Sequence, residues 1–414
     1  MIQFNKFTLE NGLRVLVHED PSTPMAAVNI LYDVGARDES PEQTGFAHLF
    51  EHLMFGGSVN IPNYDTPLQQ VGGENNAFTS NDITNYYITL PAVNLETAFW
   101  LESDRMLSLA FSEKSLEVQR NVVLEEFKQR YLNQPYGDAW LHLRPLAYKK
   151  HPYRWATIGA SLKHIEEAKM EAVKAFFAKH YNPQNAIMVV AGDVQTQKVK
   201  QLAEKWFAPI PSGTRYQRNL SQEPAQTQAR REQIRADVPA DALYMTFHMP
   251  GRTDPGYYTV DLISDILSRG TSSRLYRNLV KEQPLFSEIN AYVMGSLDPG
   301  LFVLEGKPIP GVSMEVAEQA IWQELNRLKE DPVEEKELDK VKNKIESTME
   351  FSTLSILDKA MSLAYFELLG DAGTFNTEVD KYRQVTREAI QAQSRQVFRE
   401  ENQSTLLYLV KKDA

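Results

Sequence analysis

His48, Glu51 and His52 are the residues of this chain whose types and spacing can do chemistry together. They lie in the run 45–56, GFAHLFEHLMFG, where apolar side chains recur at helical spacing and glycines end the segment. On a helix, positions four apart share a face, so the imidazoles of His48 and His52 can meet at one point with the Glu51 carboxylate at its edge. That set suits one metal ion with a carboxylate beside it. A bound Zn²⁺ lowers the pKa of its water from about 15.7 toward about 7, and a nearby carboxylate can take the proton as the water attacks a peptide carbonyl. Glu51 is therefore the expected general base. Phe46, Leu49, Phe50, Leu53, Met54 and Phe55 crowd the same turns. Placing two histidines and a glutamate among them is expensive unless something charged or hydrogen-bonding compensates.

A tetrahedral catalytic zinc takes a third protein ligand and keeps one position for water. The chain has no cysteine, so thiolate ligands and disulfides are excluded and only His and carboxylate can hold the ion. The helix that follows Ser112, a plausible N-cap, turns Leu116, Val123, Leu124 and Phe127 inward. It carries Glu117, Glu125 and Glu126. All three are candidates, and spacing does not choose among them.

The elements that must position this helix pair are readable. Strands are expected at 7–9 and 14–18 around an Asn11-Gly12 turn, and again at 26–32. Residues 57–70 read as a flexible segment. Ala77, Phe78 and Thr79 open a second hairpin that turns at Asn81-Asp82 and returns through 84–90, and Asn76, Ala77 and Phe78 are its candidate substrate-binding residues. If that strand is a sheet edge facing the metal, its unpaired backbone groups suit an extended peptide. His18 reads as a turn residue, and His142, His151, His164 and His180 as cap or helix-surface residues.

At 414 residues with 42% hydrophobic content, two or more domains are expected. A formal charge of −11 argues against a nucleic-acid partner. Residues 1–12 lack the apolar core of a signal peptide and no run of 18 apolar residues occurs, so no membrane association is expected. The expected location is the cytoplasm, or the periplasm if a leader has been trimmed. The prolines and the polar Gln- and Arg-rich run at 208–230 mark a linker. The division is then an N-terminal zinc domain at 1–215, a linker at 216–232, and a C-terminal domain at 233–414. The second half repeats the strand and helix order of the first, which suggests an internal duplication. It holds no second H-x-x-E-H, so only the first copy is expected to bind metal.

H-L-F-E-H followed by V-V-L-E-E resembles the pitrilysin family of zinc peptidases, the inverted-motif zincins. The likeness continues through Asn76-Ala77-Phe78-Thr79-Ser80, His151-Pro152-Tyr153 with Gly159, and Tyr181-Asn182-Pro183 running into Val189-Val190-Ala191-Gly192-Asp193. It implies an α+β fold of two homologous domains, each a mainly antiparallel sheet covered by helices, as in β-type subunits of processing peptidases. It implies Glu126 as the third zinc ligand. Seven positions earlier, where active members often carry a supporting glutamate, this chain has Gln119, with Glu117 nearby as a substitute. In the second domain, members that complete a site within their own assembly often place an Arg and, seven residues later, a Tyr; here Val280 and Ser287 stand there. The resemblance thus implies a metalloendopeptidase of unfolded peptides. It also implies a dimer, or a heterodimer with a zinc-free homologous subunit that would supply the missing groups. The rival implied by the same likeness is a weak or inactive scaffold subunit of a heteromeric complex.

Overall fold

The structure is a computed structural model and describes residues 1–411. Its strands form two sheets. The first contains β1 (Asn5–Thr8), β2 (Arg14–Glu19), β3 (Met25–Tyr32), β4 (Glu74–Thr79), β5 (Thr84–Pro91) and β6 (Ala186–Gly192), in the order β1-β2-β6-β3-β5-β4. The second contains β7 (Arg230–Ala236), β8 (Ala242–His248), β9 (Phe286–Met294), β10 (Leu301–Pro308) and β11 (Gln403–Val410), in the order β7-β11-β8-β10-β9. Each sheet has one parallel pair, β2 with β6 and β7 with β11; the remaining ladders are antiparallel. The two sheets thus follow one plan, with β3, β5 and β4 placed as β8, β10 and β9 are. This is the α+β fold of two helix-covered, mainly antiparallel sheets that the resemblance implies.

Strand β6, AIMVVAG, is buried along its whole length because both of its faces are covered. In the first unit one face of the sheet presents Leu16, Ala27, Leu31, Ile187, Val189 and Ala191. These pack against Ala360, Leu363 and Ala364 of the helix Ile356–Leu368. In the second unit Leu243, Met245 and Phe247 pack against the helices Gly256–Ser268, Met314–Glu330 and Arg387–Val397. The opposite face of that sheet, with Tyr244, Leu406 and Tyr408, is covered by Ala139 and Leu143 of the helix Ala139–Ala147.

The compact units therefore differ from a single cut at 216–232. One unit comprises Met1–Lys128, Trp155–Leu220 and Glu350–Thr377; the other comprises Gln129–Arg154, Ser221–Met349 and the chain from Glu378 onward. A sheet needs cover on both faces, and each sheet takes the second cover from a helix remote in sequence. Nothing in the local pattern of such a helix says which sheet it will join. The expected linker is also tied down. Arg218 binds Asp38 and Asp33 at 2.7 Å in the first unit, and the Glu223 carboxylate accepts backbone N–H groups of Lys149, Lys150 and His151 in the second. Among the described residues no helix is long and apolar enough to cross a membrane.

Candidate metal centre

The motif helix runs Phe46–Leu53, shorter than the 45–56 run because Met54 and the glycines after it turn the chain away. Leu49 and Phe50 are fully buried, and the Phe50 ring stacks on Phe176 at 5.0 Å and Tyr181 at 5.2 Å between centroids. Aromatic pairs at this spacing add to area burial. They fix the rotation of the helix, and His48, Glu51 and His52 are left on its half-buried flank. Gly45 enters the helix at φ +88°, and a Cβ there would meet Ile158 O at 2.7 Å, so glycine is required by both conformation and space.

The second helix, Glu113–Phe127, starts where Ser112 accepts the N–H of Ser115, and buries Leu116, Val123 and Phe127. Its Glu126 reaches the motif helix. Glu126 Oε2 lies 3.6 Å from His48 Nε2 and 3.3 Å from His52 Nε2, and the two imidazole planes stand at 89°. Among the described residues these three form a group able to hold a metal ion, with ligand atoms within 4.8 Å of one another. Ligands bonded to one tetrahedral zinc at about 2.0–2.2 Å stand about 3.3–3.6 Å apart, so the carboxylate–imidazole separations match. Two imidazoles and a carboxylate are zinc donors, and they leave a fourth position open. The residues fit the ion.

The other candidates separate by direction. Glu117 precedes Glu126 by nine residues, about two and a half helical turns, so it lies on the opposite side and is exposed. It neither ligates nor supports the site, because both roles require the inward flank. Glu125 is turned to solvent and holds Lys128 at 2.7 Å. Gln119, seven residues before Glu126, returns within about 20° of the same flank and is half-buried.

Glu51 sits between the motif helix and β4. Burial raises its carboxyl above the ordinary range, partly offset by hydrogen bonds from the Thr79 side chain and backbone and by the nearby His52. A carboxylate with raised proton affinity is a better acceptor near neutral pH. The sequence marks Thr79 as a strand residue and gives it no role at the site; the signal for one is the alternation along β4, where 75, 77 and 79 are half-buried and 74, 76 and 78 exposed. Ala77 therefore shares the inner side with Thr79, while Asn76 and Phe78 face outward, Phe78 at 40% exposure. Strand β4 is the last strand of its sheet and pairs only with β5.

Several expectations around the site are corrected. Residues 57–70 are not slack: they include a helix, Asp65–Gln70, and Tyr64 is buried with its hydroxyl on Glu102 at 2.6 Å and Arg105 against its ring. His151 is buried beside Asp298, His180 is fully buried between Phe176 and Tyr216, and His164 Nδ1 lies 2.7 Å from Thr44 Oγ1 at the entry to the motif helix. Helical spacing shows Phe176 four residues before His180, but not Asp298, Tyr216 or Thr44, which lie far along the chain from the histidines they meet. None of these histidines joins the metal group.

The chain matches the family model described as insulinase, peptidase family M16, over residues 14–158, a span that holds His48, Glu51, His52 and Glu126. It matches the model described as the peptidase M16 inactive domain over residues 168–345, which holds none of them. It is 33% identical to the zinc protease PqqE of Helicobacter pylori over 345 residues, covering 81% of this chain and 77% of that one. A probable mitochondrial-processing peptidase subunit beta of Arabidopsis thaliana is 28% identical over 252 residues, 60% of this chain and 47% of that one. The crystal structure of a protease from Helicobacter pylori superposes with a TM-score of 0.92 at 28% identity, covering all of both chains. With a relative this similar over most of both lengths, the chain belongs to peptidase family M16, the pitrilysin or insulinase family of zinc proteases.

Proposed function

We propose that this chain is a zinc-dependent endopeptidase acting on unfolded peptides or oligopeptides. His48, His52 and Glu126 would hold the ion, which when bound acidifies a water molecule and polarises the scissile carbonyl. Glu51 takes the proton of the attacking water and delivers it to the leaving amine nitrogen, the two halves of one general-base and general-acid cycle. Thr79 lies beside Glu51, where its hydroxyl and backbone N–H favour the ionised carboxylate. The open edge of β4 offers backbone N–H and C=O groups to an extended peptide, a mode that tolerates many side chains. The observation that carries this reading is the convergence of His48, His52 and Glu126 at ligand spacing with Glu51 on the same helix.

The test is metal analysis together with hydrolysis of a quenched peptide. The parent is expected to bind one zinc. Glu51→Gln should keep the zinc and lose turnover by about 10²–10⁴-fold, the usual range for a general base. Full turnover by a zinc-loaded Glu51→Gln protein would rule the mechanism out.

The chain is further proposed to work beside a related, zinc-free subunit. Val280 packs half-buried on the core of its unit, and the Ser287 hydroxyl donates to Lys307 O at 3.0 Å. Neither provides a donor for a developing oxyanion as Arg or Tyr would. Low turnover by the purified chain, raised by adding a homologous subunit that carries Arg and Tyr, is the expected outcome. Full activity from the single chain would sink the pairing and leave the zinc reading standing.

A further inference from the structure

Outside the metal ligands, one buried carboxylate grips the motif helix. Glu39 is 7% exposed; its Oε2 accepts the backbone N–H of Gly45 and its Oε1 that of Ala47, both at 2.8 Å. The first N–H groups of a helix have no partner within it, and a Ser, Thr, Asp or Asn side chain at the N-cap usually supplies one. Here the N-cap is Gly45, which has no side chain to offer. Glu39 does that work from six residues upstream. Burial pushes the Glu39 carboxyl well above the ordinary range, and the backbone N–H groups of Ala47 and Gly45 act against that rise.

The grip falls on the turn that contains a ligand. Ala47 immediately precedes His48, the third residue of an eight-residue helix, so the first turn and the first ligand move together. The segment that leads into Glu39 is anchored at Ala36 and Asp38. Trp155 Nε1 donates to Ala36 O at 2.8 Å, and Arg218 holds Asp38 at 2.7 Å. On the other side of the same entry, Ala160 N donates to Thr44 Oγ1 at 2.8 Å. A carboxylate buried this deeply is costly to keep and satisfies two donors that belong to the metal helix.

We propose that Glu39 is a positioning residue for the metal centre: its two-point hold on Gly45 and Ala47 sets the place of His48 Nε2 relative to His52 and Glu126. This rests on the reading of those three residues as a zinc site.

The experiment compares the parent with Glu39→Gln and Glu39→Asp. Gln keeps the volume, but its amide nitrogen cannot accept, so one N–H loses its partner. Asp keeps the carboxyl group and falls one methylene short. Zinc affinity is measured by chelator competition, the visible absorption of the Co²⁺-substituted proteins is recorded, and peptide turnover and the melting of the metal-free proteins are followed. Glu39→Gln is expected to lose about 10–100-fold in zinc affinity, the range typical when a supporting partner of a ligand is removed. Its Co²⁺ spectrum should shift, kcat should fall with KM nearly unchanged, and Glu39→Asp should recover part of the affinity.

Parent-like zinc affinity and Co²⁺ spectrum in Glu39→Gln, with only the metal-free melting lowered, would overturn the proposal and leave Glu39 an ordinary cap. If Glu39→Gln does not fold, Glu39→Asp decides: parent-like affinity overturns the proposal, a weakened one supports it. A parent that binds no zinc would instead overturn the zinc reading, and the role of Glu39 with it, before any variant is compared.

Discussion

Residue by residue, the site depends on direction more than on type. Glu117, Glu125 and Glu126 are chemically alike, and only Glu126 has the angle that reaches His48 and His52. His180 shows the same dependence on surroundings. Burial, then the charges of Lys179 and Arg218, push its pKa down from 6.5 to about 3, and neither ring nitrogen has a hydrogen-bond partner. The folded state therefore keeps His180 neutral where the unfolded chain would protonate it. Its contribution to stability is complete above pH 6.5 and is lost as pH falls from there toward 3, at up to about 1.4 kcal/mol per pH unit. Denaturant midpoints measured between pH 7 and pH 4 should fall less steeply in His180→Phe than in the parent; equal slopes would show that His180 is protonated in the fold.

At the scale of elements, the motif helix and the Glu126 helix were visible as apolar stripes, but not the surfaces they would cover. The motif helix shows its inner face in Leu49, Phe50 and Leu53, and the alternation of β4 shows that Ala77 and Thr79 share a side. What could not be read is that the helix Ile356–Leu368, late in the chain, covers β3 and β6 of the first sheet. Leu363 is fully buried there. Leu363→Ala should cost about 2–5 kcal/mol, as large-to-small changes in cores do. Hydrogen exchange should then quicken in β3 and β6, and loss of protection confined to the second sheet would contradict the packing.

For the whole molecule, the duplication was legible and the cut between its halves was not. Repeated strand order told of two alike sheets, and the prolines near 209–211 told of a break. Yet the first sheet cannot bury Ala27, Leu31, Ile187 and Val189 without Ala360, Leu363 and Ala364. A fragment of residues 1–215 should therefore expose an apolar sheet face and aggregate or bind a hydrophobic dye, whereas the full chain should not. A soluble fragment with a dispersed amide spectrum would show that the covering helix is dispensable.

Sequence by itself determined the chemistry: which residues could hold a metal, which could take a proton, and that only one of the two halves carries them. These are local facts, written in residue type and in spacing of three and four along one helix. Tertiary structure shows by direction what spacing left open, Glu126 facing the histidines and Glu117 solvent, and it alone decided that Thr79 and Glu39 reach the motif helix from neighbouring segments and that each sheet is closed by a helix remote in sequence. Those outcomes depend on which surfaces meet, and a surface is assembled from residues far apart in the chain.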